Sequence, residues 1–239
     1  MPDYIVTPEG RRLKKIATRT TTPVSDTTVK AVYADAPRVC YNMPNEEFLP
    51  LMMRLRDRAV RLMDDRLVEL ARWNAADRDK VRLWFGEDSE ATRQALRDGL
   101  PRMQEVMRGL TEKNFVKFTP EGVRAVGCEP RPDSLAAASV CKPDGTHTIF
   151  LNTTFCNLED ETNRYDGIPF AQDSKLVVLI HEVAHFPKSM DAEDLWYTIR
   201  QSQDRAASHD KFCGANADNI AAYVVNVPNW SGSSPVWKP

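Results

Sequence analysis

The sequence predicts an α+β fold, mostly helical, with a helical N-terminal half, a small antiparallel sheet or hairpin and a late helix bearing H-E-x-x-H. Three observations predict it. Apolar residues recur at three- and four-residue spacing through the first half after residue 50. Short β-prone runs among Gly and Pro follow Phe118. The run Leu176-Val177-Val178-Leu179-Ile180 then leads straight into His181, Glu182 and His185.

Residues 1–39 are polar, carry Thr and Pro and have no helical period, which predicts an arm or linker contributing little core. Residues 40–226 read as one domain. Its first helix runs from about Pro50 to Trp73, on the spacing of Leu51, Met52, Leu55, Ala59, Leu62, Met63, Leu67 and Leu70. The methionines there fill core gaps. A second helix spans about Asn74 to Phe85 and stops at Gly86; a third runs from Ser89 towards Leu110, with an interruption at Gly99 and Pro101. Ala138 to Val140 and Thr148 to Leu151 supply the small sheet. The polar loop Asn157 to Phe170 leads to Asp173 or Ser174, either of which can N-cap the motif helix. Helices over about Ala192 to Ser208 and Asn216 to Val225 follow, and 227–239, with Trp230 and Trp237, reads as a C-terminal coil.

Composition excludes several classes. A net charge of -2 with both signs interspersed gives no footprint for nucleic acid or an anionic membrane, so neither is expected as a partner. No apolar stretch can span a bilayer and Met1 to Ala17 has no apolar signal core, so a soluble chain without a classical secretion signal is expected. The five cysteines form no C-x-x-C pair and are too few for a disulfide scaffold. In an oxidising compartment the expected pairs are Cys40 with Cys128 and Cys141 with Cys156, leaving one thiol.

The chemistry sits in H-E-x-x-H. Residues four apart share a helix face, so His181 and His185 can reach one tetrahedral ion, one zinc per chain, while Glu182 points to its edge as general base for an activated water. The bland alternative, a chance pattern on an ordinary helix, leaves polar groups on a core helix without partners. A third ligand must come from downstream: Asp191, Asp194, Asp204 and His209 are the candidates, with Tyr197 three residues beyond Asp194 and so on the same face if that segment is helical.

The stretch Asp191-Ala192-Glu193-Asp194-Leu195-Trp196-Tyr197-Thr198 resembles the G-T-x-D-x-x-Y-G signature that follows H-E-x-x-H in the aspzincins, the deuterolysin and peptidyl-Lys metalloendopeptidase family. Leu83-Trp84-Phe85-Gly86, Thr148-Ile149-Phe150-Leu151 and Asn216-Ala217-Asp218-Asn219 are similar to further family stretches, so the resemblance covers roughly Cys40 to Val225. It implies a zincin-like metallopeptidase fold, zinc on His181, His185 and Asp194, Glu182 as general base, and the Tyr197 hydroxyl at the oxyanion. The signature's glycines are replaced by Asp191 and Thr198, which predicts a different local turn and keeps Asp191 open as a ligand. In the Lys-specific branch two acids bind the lysine after the scissile bond. Their positions here hold Asp218 and Ala221, implying a softened preference for basic residues; Asp218 is equally readable as a helix-start carboxylate.

The expected activity is therefore zinc-dependent endopeptidase hydrolysis of a protein or peptide substrate. A specialised export route would suit a bacterial effector or toxin, whose producing cell would hold an inhibitory or immunity protein; a cytoplasmic location is the alternative. A non-catalytic zinc-binding module and a zinc hydrolase of non-peptide bonds share the motif, although retention of Glu182 opposes the first.

Overall fold

The computed structural model describes the strands at 4–6, 12–21 and 28–35 and the residues 38–130, 136–161 and 173–225. The N-terminal strands β1 (Tyr4–Val6), β2 (Arg12–Thr21) and β3 (Thr28–Asp35) pair in order as an antiparallel meander. The segment expected to be an arm thus contains a sheet of its own. The expected C-terminal coil, 227–239, lies outside the described residues.

The helical half follows the predicted order. Helix α1 (Asn45–Arg72) starts five residues before Pro50 and buries Leu51, Met52, Leu55, Ala59, Leu62, Met63 and Leu70 on one face. Helix α2 (Ala75–Phe85) opens with a capping box between Asn74 and Asp77 and closes on Gly86 at φ 76. A side chain at Gly86 would also meet the Ala206 carbonyl, its Cβ falling 2.5 Å from the oxygen. Helix α3 (Glu90–Gly109) runs through Gly99 and Pro101 without the expected interruption. Gly99 packs against Met190: a Cβ would lie 2.1 Å from the Met190 sulfur, so a side chain there would push aside the Met190 side chain where α3 meets the loop after the motif helix.

The second sheet has the order β4-β6-β5, built from β4 (Phe115–Lys117), β5 (Ala138–Val140) and β6 (Ile149–Leu151). β5 pairs antiparallel with β6 but β4 pairs parallel to it, so the sheet is mixed. Central β6 is fully buried and β5 is left at an edge. Short helices α4 (Pro120–Ala125) and α5 (Thr153–Cys156) flank it.

Helix α6 (Lys175–Ala184) packs against α1, α3 and α8 (Ala217–Val225), and α7 (Ile199–Ala207) lies against α2 and α8. Leu176, Val177, Leu179, Ile180 and Val183 are each at most 2% exposed. At about 1.5–3 kcal/mol per buried aliphatic side chain, they fix α6 in the core. The helix expected from Ala192 begins only at Ile199; the preceding segment carries two left-handed residues, Asp191 and Thr198, that a regular helix excludes.

The disulfides join Cys40 to Cys156 and Cys128 to Cys141, not the expected pairs. The first ties the chain ahead of α1 to α5, and the second closes the loop that ends in β5. Spacing alone carries no information on which strand partners bring two sulfurs together. Cys213 is the free, buried thiol.

Candidate metal centre and active site

Ser174 N-caps α6 by accepting from the Val177 amide, which settles the choice left open between Asp173 and Ser174. Every residue from Ser174 to His185 is buried except His181, which is half-buried. On this helix His181 and His185 bring their Nε2 atoms to 3.0 Å, with rings 80° apart. Asp194 Oδ1 completes the group, 3.0 Å from His181 Nε2 and 3.3 Å from His185 Nε2.

The outer nitrogens decide what this triangle can hold. His181 Nδ1 lies 2.6 Å from Asp218 Oδ1, and His185 Nδ1 lies 2.9 Å from the Ala192 carbonyl. Both partners are acceptors, so each Nδ1 carries the proton and each neutral ring turns a bare Nε2 lone pair inward. Two lone pairs and a carboxylate oxygen facing one another at 3.0–3.3 Å repel unless a cation lies between them. Donors about 2.0–2.1 Å from a tetrahedral zinc are about 3.4 Å apart, so the spacing and the His-His-Asp donor set both fit zinc. Among the described residues this is the one such group of three.

Without a cation, protons take its place. Burial opposes charge on His181, but Asp194 and Asp218 outweigh it and hold the ring well above the ordinary histidine value; His185 is raised by the same balance, through Asp194 and Glu182. Burial also acts against the Asp194 carboxylate, yet the two imidazoles drive its pKa below the usual range. Glu182 is 5% exposed and its carboxyl is pushed up by that burial, against the pull of the two histidines. A buried carboxyl beside an open cavity has the character of a base.

The loop carrying Asp194 is irregular and returns across the end of α6. The Ala192 amide donates to Ala184 O while its carbonyl receives His185 Nδ1. Asp191 at φ 52 and Thr198 at φ 78 stand where the resembled signature has glycine. Both positions thus take a positive φ that glycine adopts most readily, and each holds strain of about 1–3 kcal/mol. Asp191 does not join the ligands: its side chain is 63% exposed and pairs with Lys142. His209 is also elsewhere, its Nδ1 on Gly86 O, and Asp204 is exposed outside the group.

The stretch Asn216–Asn219 clamps this loop. Asn216 Oδ1 accepts from the Leu195 and Trp196 amides, and a backbone bridge joins Glu193 to Ala215 and Ala217. Asn219 Oδ1 accepts from Trp196 Nε1 while its amide donates to Trp84 O and Ser202 O. Both asparagines are fully buried. Their spacing around Asp218 was visible in the sequence, but not that they grip the ligand loop. Lys142 had no sequence signal at all.

Tyr197 is not helical; it stands 53% exposed on the loop and lines the same cavity as His181, Glu182, His185, Asp194 and Asp218. That cavity measures about 850 Å³, and Ala138, Ser139 and Val140 of edge strand β5 form one wall. Asp218 is only 12% exposed and committed to His181, a partner not anticipated for an acid expected to bind substrate. Ala221 is wholly buried in the core and lines nothing.

A family model described as lysine-specific metallo-endopeptidase, the aspzincin model, matches residues 70–225. Among solved structures, a zinc peptidase from Grifola frondosa superposes with a TM-score of 0.53 at 17% identity, covering 74% of this chain and 94% of that one. No curated protein matches.

Proposed function

Since the chain belongs to the aspzincin family and is a zinc-dependent metalloendopeptidase, we propose that His181, His185 and Asp194 hold one zinc, that Glu182 is the general base and that Tyr197 serves the oxyanion. The inward-facing lone pairs of His181 and His185 beside Asp194 carry this reading. Zinc bound there polarises the scissile carbonyl and makes water easier to deprotonate. Glu182 accepts the water's proton and delivers it to the leaving amine. The Tyr197 hydroxyl, three residues beyond Asp194 and on the cavity wall, donates to the oxygen that gains charge. Asp218 keeps His181 in the tautomer that binds metal.

The free edge of β5 on the cavity wall supports an extended substrate pairing with it as an added strand. Asp173 and Asp218 on the same cavity support a preference, not a requirement, for Lys or Arg after the cleaved bond. The two disulfides support maturation in an oxidising compartment and hence export, as an effector or toxin countered at home by an inhibitory protein. No helix among the described residues is long and apolar enough to cross a membrane. Metal analysis together with cleavage of casein and of a peptide library, with Glu182→Ala as control, tests the reading. Metal-loaded protein that leaves every peptide intact would reject it.

A further inference from the structure

The loop that carries Asp194 is held from two sides: by the Asn216–Asn219 clamp and, across the cavity, by Lys142. The Lys142 ammonium contacts Asp191 Oδ1 at 3.0 Å, the Asp191 carbonyl at 3.3 Å and Glu193 Oε1 at 2.6 Å. An ammonium has three N–H donors, and all three are used on this loop. The residues gripped lie three and one positions before Asp194. Among the described residues no other cation pairs with either acid.

The base of this grip is fixed. Lys142 follows Cys141, which is 1% exposed, bonded to Cys128, and next to the last residue of β5. The Asn216–Asn219 clamp holds the loop from Glu193 onward, but the turn at Asp191 that precedes it is less firmly held. The loop has no helix or strand between α6 and α7 beyond the single bridge at Glu193, and Asp191 sits at φ 52, a conformation an L residue leaves unless held.

Resting on the reading of Asp194 as a zinc ligand, we propose that Lys142 is a positioning residue that presets the 191–194 segment for metal and ties it to the substrate wall at β5. A ligand preset in this way is competent before the ion arrives. If removing the ammonium leaves the loop competent for only a tenth of the time, the apparent zinc affinity falls by that fraction, about tenfold. Because Lys142 is 29% exposed and Asp191 and Glu193 are 63% and 61% exposed, much of the grip is screened by salt, so tenfold is the upper end of the expected effect and the parent's advantage shrinks as ionic strength rises.

The test measures zinc affinity by competition with a chromogenic chelator, alongside thermal melting of the metal-free protein and steady-state kinetics at saturating zinc. Lys142→Met is expected to raise the zinc Kd by up to about tenfold and lower kcat, with KM for an uncharged peptide unchanged. Lys142→Arg should recover most of the affinity, and Lys142→Met combined with Glu193→Gln should be no worse than Lys142→Met alone. Should Lys142→Met not fold, Asp191→Asn with Glu193→Gln strips both charges from the other side, leaving Lys142 only uncharged acceptors, and is expected to raise the Kd in the same direction by a smaller factor. A parent-like Kd in Lys142→Met, or in the Asp191→Asn, Glu193→Gln double variant where Lys142→Met does not fold, overturns the proposal. So does a Kd unchanged with KM raised only for carboxylate-bearing peptides, which would make Lys142 a substrate contact. Failure of the underlying ligand reading is separate: it shows as a parent-like Kd in Asp194→Ala, whatever Lys142 does.

Discussion

Replacing Asp218 would separate the two roles proposed for it, as orienter of a zinc ligand and as an acid facing substrate. Its Oδ1 lies 2.6 Å from His181 Nδ1, a charge-assisted contact that fixes both tautomer and ring orientation. Losing such an outer partner typically costs about 10–100-fold in metal affinity, or about 1.4–2.7 kcal/mol. Asp218→Ala should therefore weaken zinc within that range, while Asp218→Asn, whose carbonyl still accepts from Nδ1 without the charge, should lose no more than about tenfold. The pH dependence gives a second reading. In the metal-free protein burial lowers the His181 pKa, but Asp194 and Asp218 carry it well above the ordinary value. Below that raised pKa zinc must displace a proton, so parent affinity falls as pH falls through it. Asp218→Ala removes one of the two carboxylates and lowers that pKa, so its deficit is largest at higher pH and narrows on acidification. Chelator competition across a pH series measures both, with library cleavage in parallel. An unchanged zinc Kd in both variants, with cleavage lost only before basic residues, would refute the orienting role.

Glu182→Gln should keep parent-level zinc by metal analysis while casein hydrolysis falls about 10²–10⁴-fold, the usual contribution of a positioned general base; undiminished hydrolysis would remove that role. Tyr197→Phe should cost about 10²–10³-fold in kcat with an unchanged melting profile, since it deletes a single oxyanion donor. Thr198→Gly relieves a φ of 78 worth about 1–3 kcal/mol and gives up a few tenths through its weaker N-cap. Glycine also frees the unfolded chain at a cost of about 0.5–1 kcal/mol, so the net gain is at most about 2 kcal/mol, or roughly 4–8 °C in melting temperature, and a melting temperature lowered by more than about 1 °C would show that no strain resides there. Denatured, unreduced protein should titrate one thiol, Cys213, which in the native state is buried, with its pKa pushed up to about 11, and should resist alkylation at pH 8. Removing the Cys128–Cys141 bond should cost about 3 kcal/mol in denaturant unfolding, and removing Cys40–Cys156 nearly 5, following the lengths of loop each closes.

Local signals were legible in the sequence. The 3.6-residue spacing of α1, the helix starts near Asn74 and Ser89, the Gly86 stop and the H-E-x-x-H face all depend on neighbours within a few residues, and the structure has each where expected. What was misread depends on distant contacts. Gly99 looks like a helix breaker until Met190 is seen against it. Residues 192–198 look helical until Asn216 draws off the Leu195 and Trp196 amides and two left-handed residues bend the chain. The disulfide partners depend on how β5 and α5 are placed, and Lys142 acquires its role only from a loop about fifty residues away. The parallel β4–β6 pair was hidden for the same reason, since three-residue strands carry almost no periodicity.

Because the clamp that completes the metal centre is supplied by the start of α8, the site is late in the order of synthesis. His181, His185 and Asp194 are all made before Asn216, Asp218 and Asn219, and at about 5–20 residues per second the interval lasts roughly one to a few seconds. During it the ligand loop has no partner for its Leu195 and Trp196 amides, and His181 has no carboxylate to set its tautomer. A nascent chain is therefore a poor protease, and a truncation between Asp194 and Asn216 yields a fragment with the whole motif and no assembled centre.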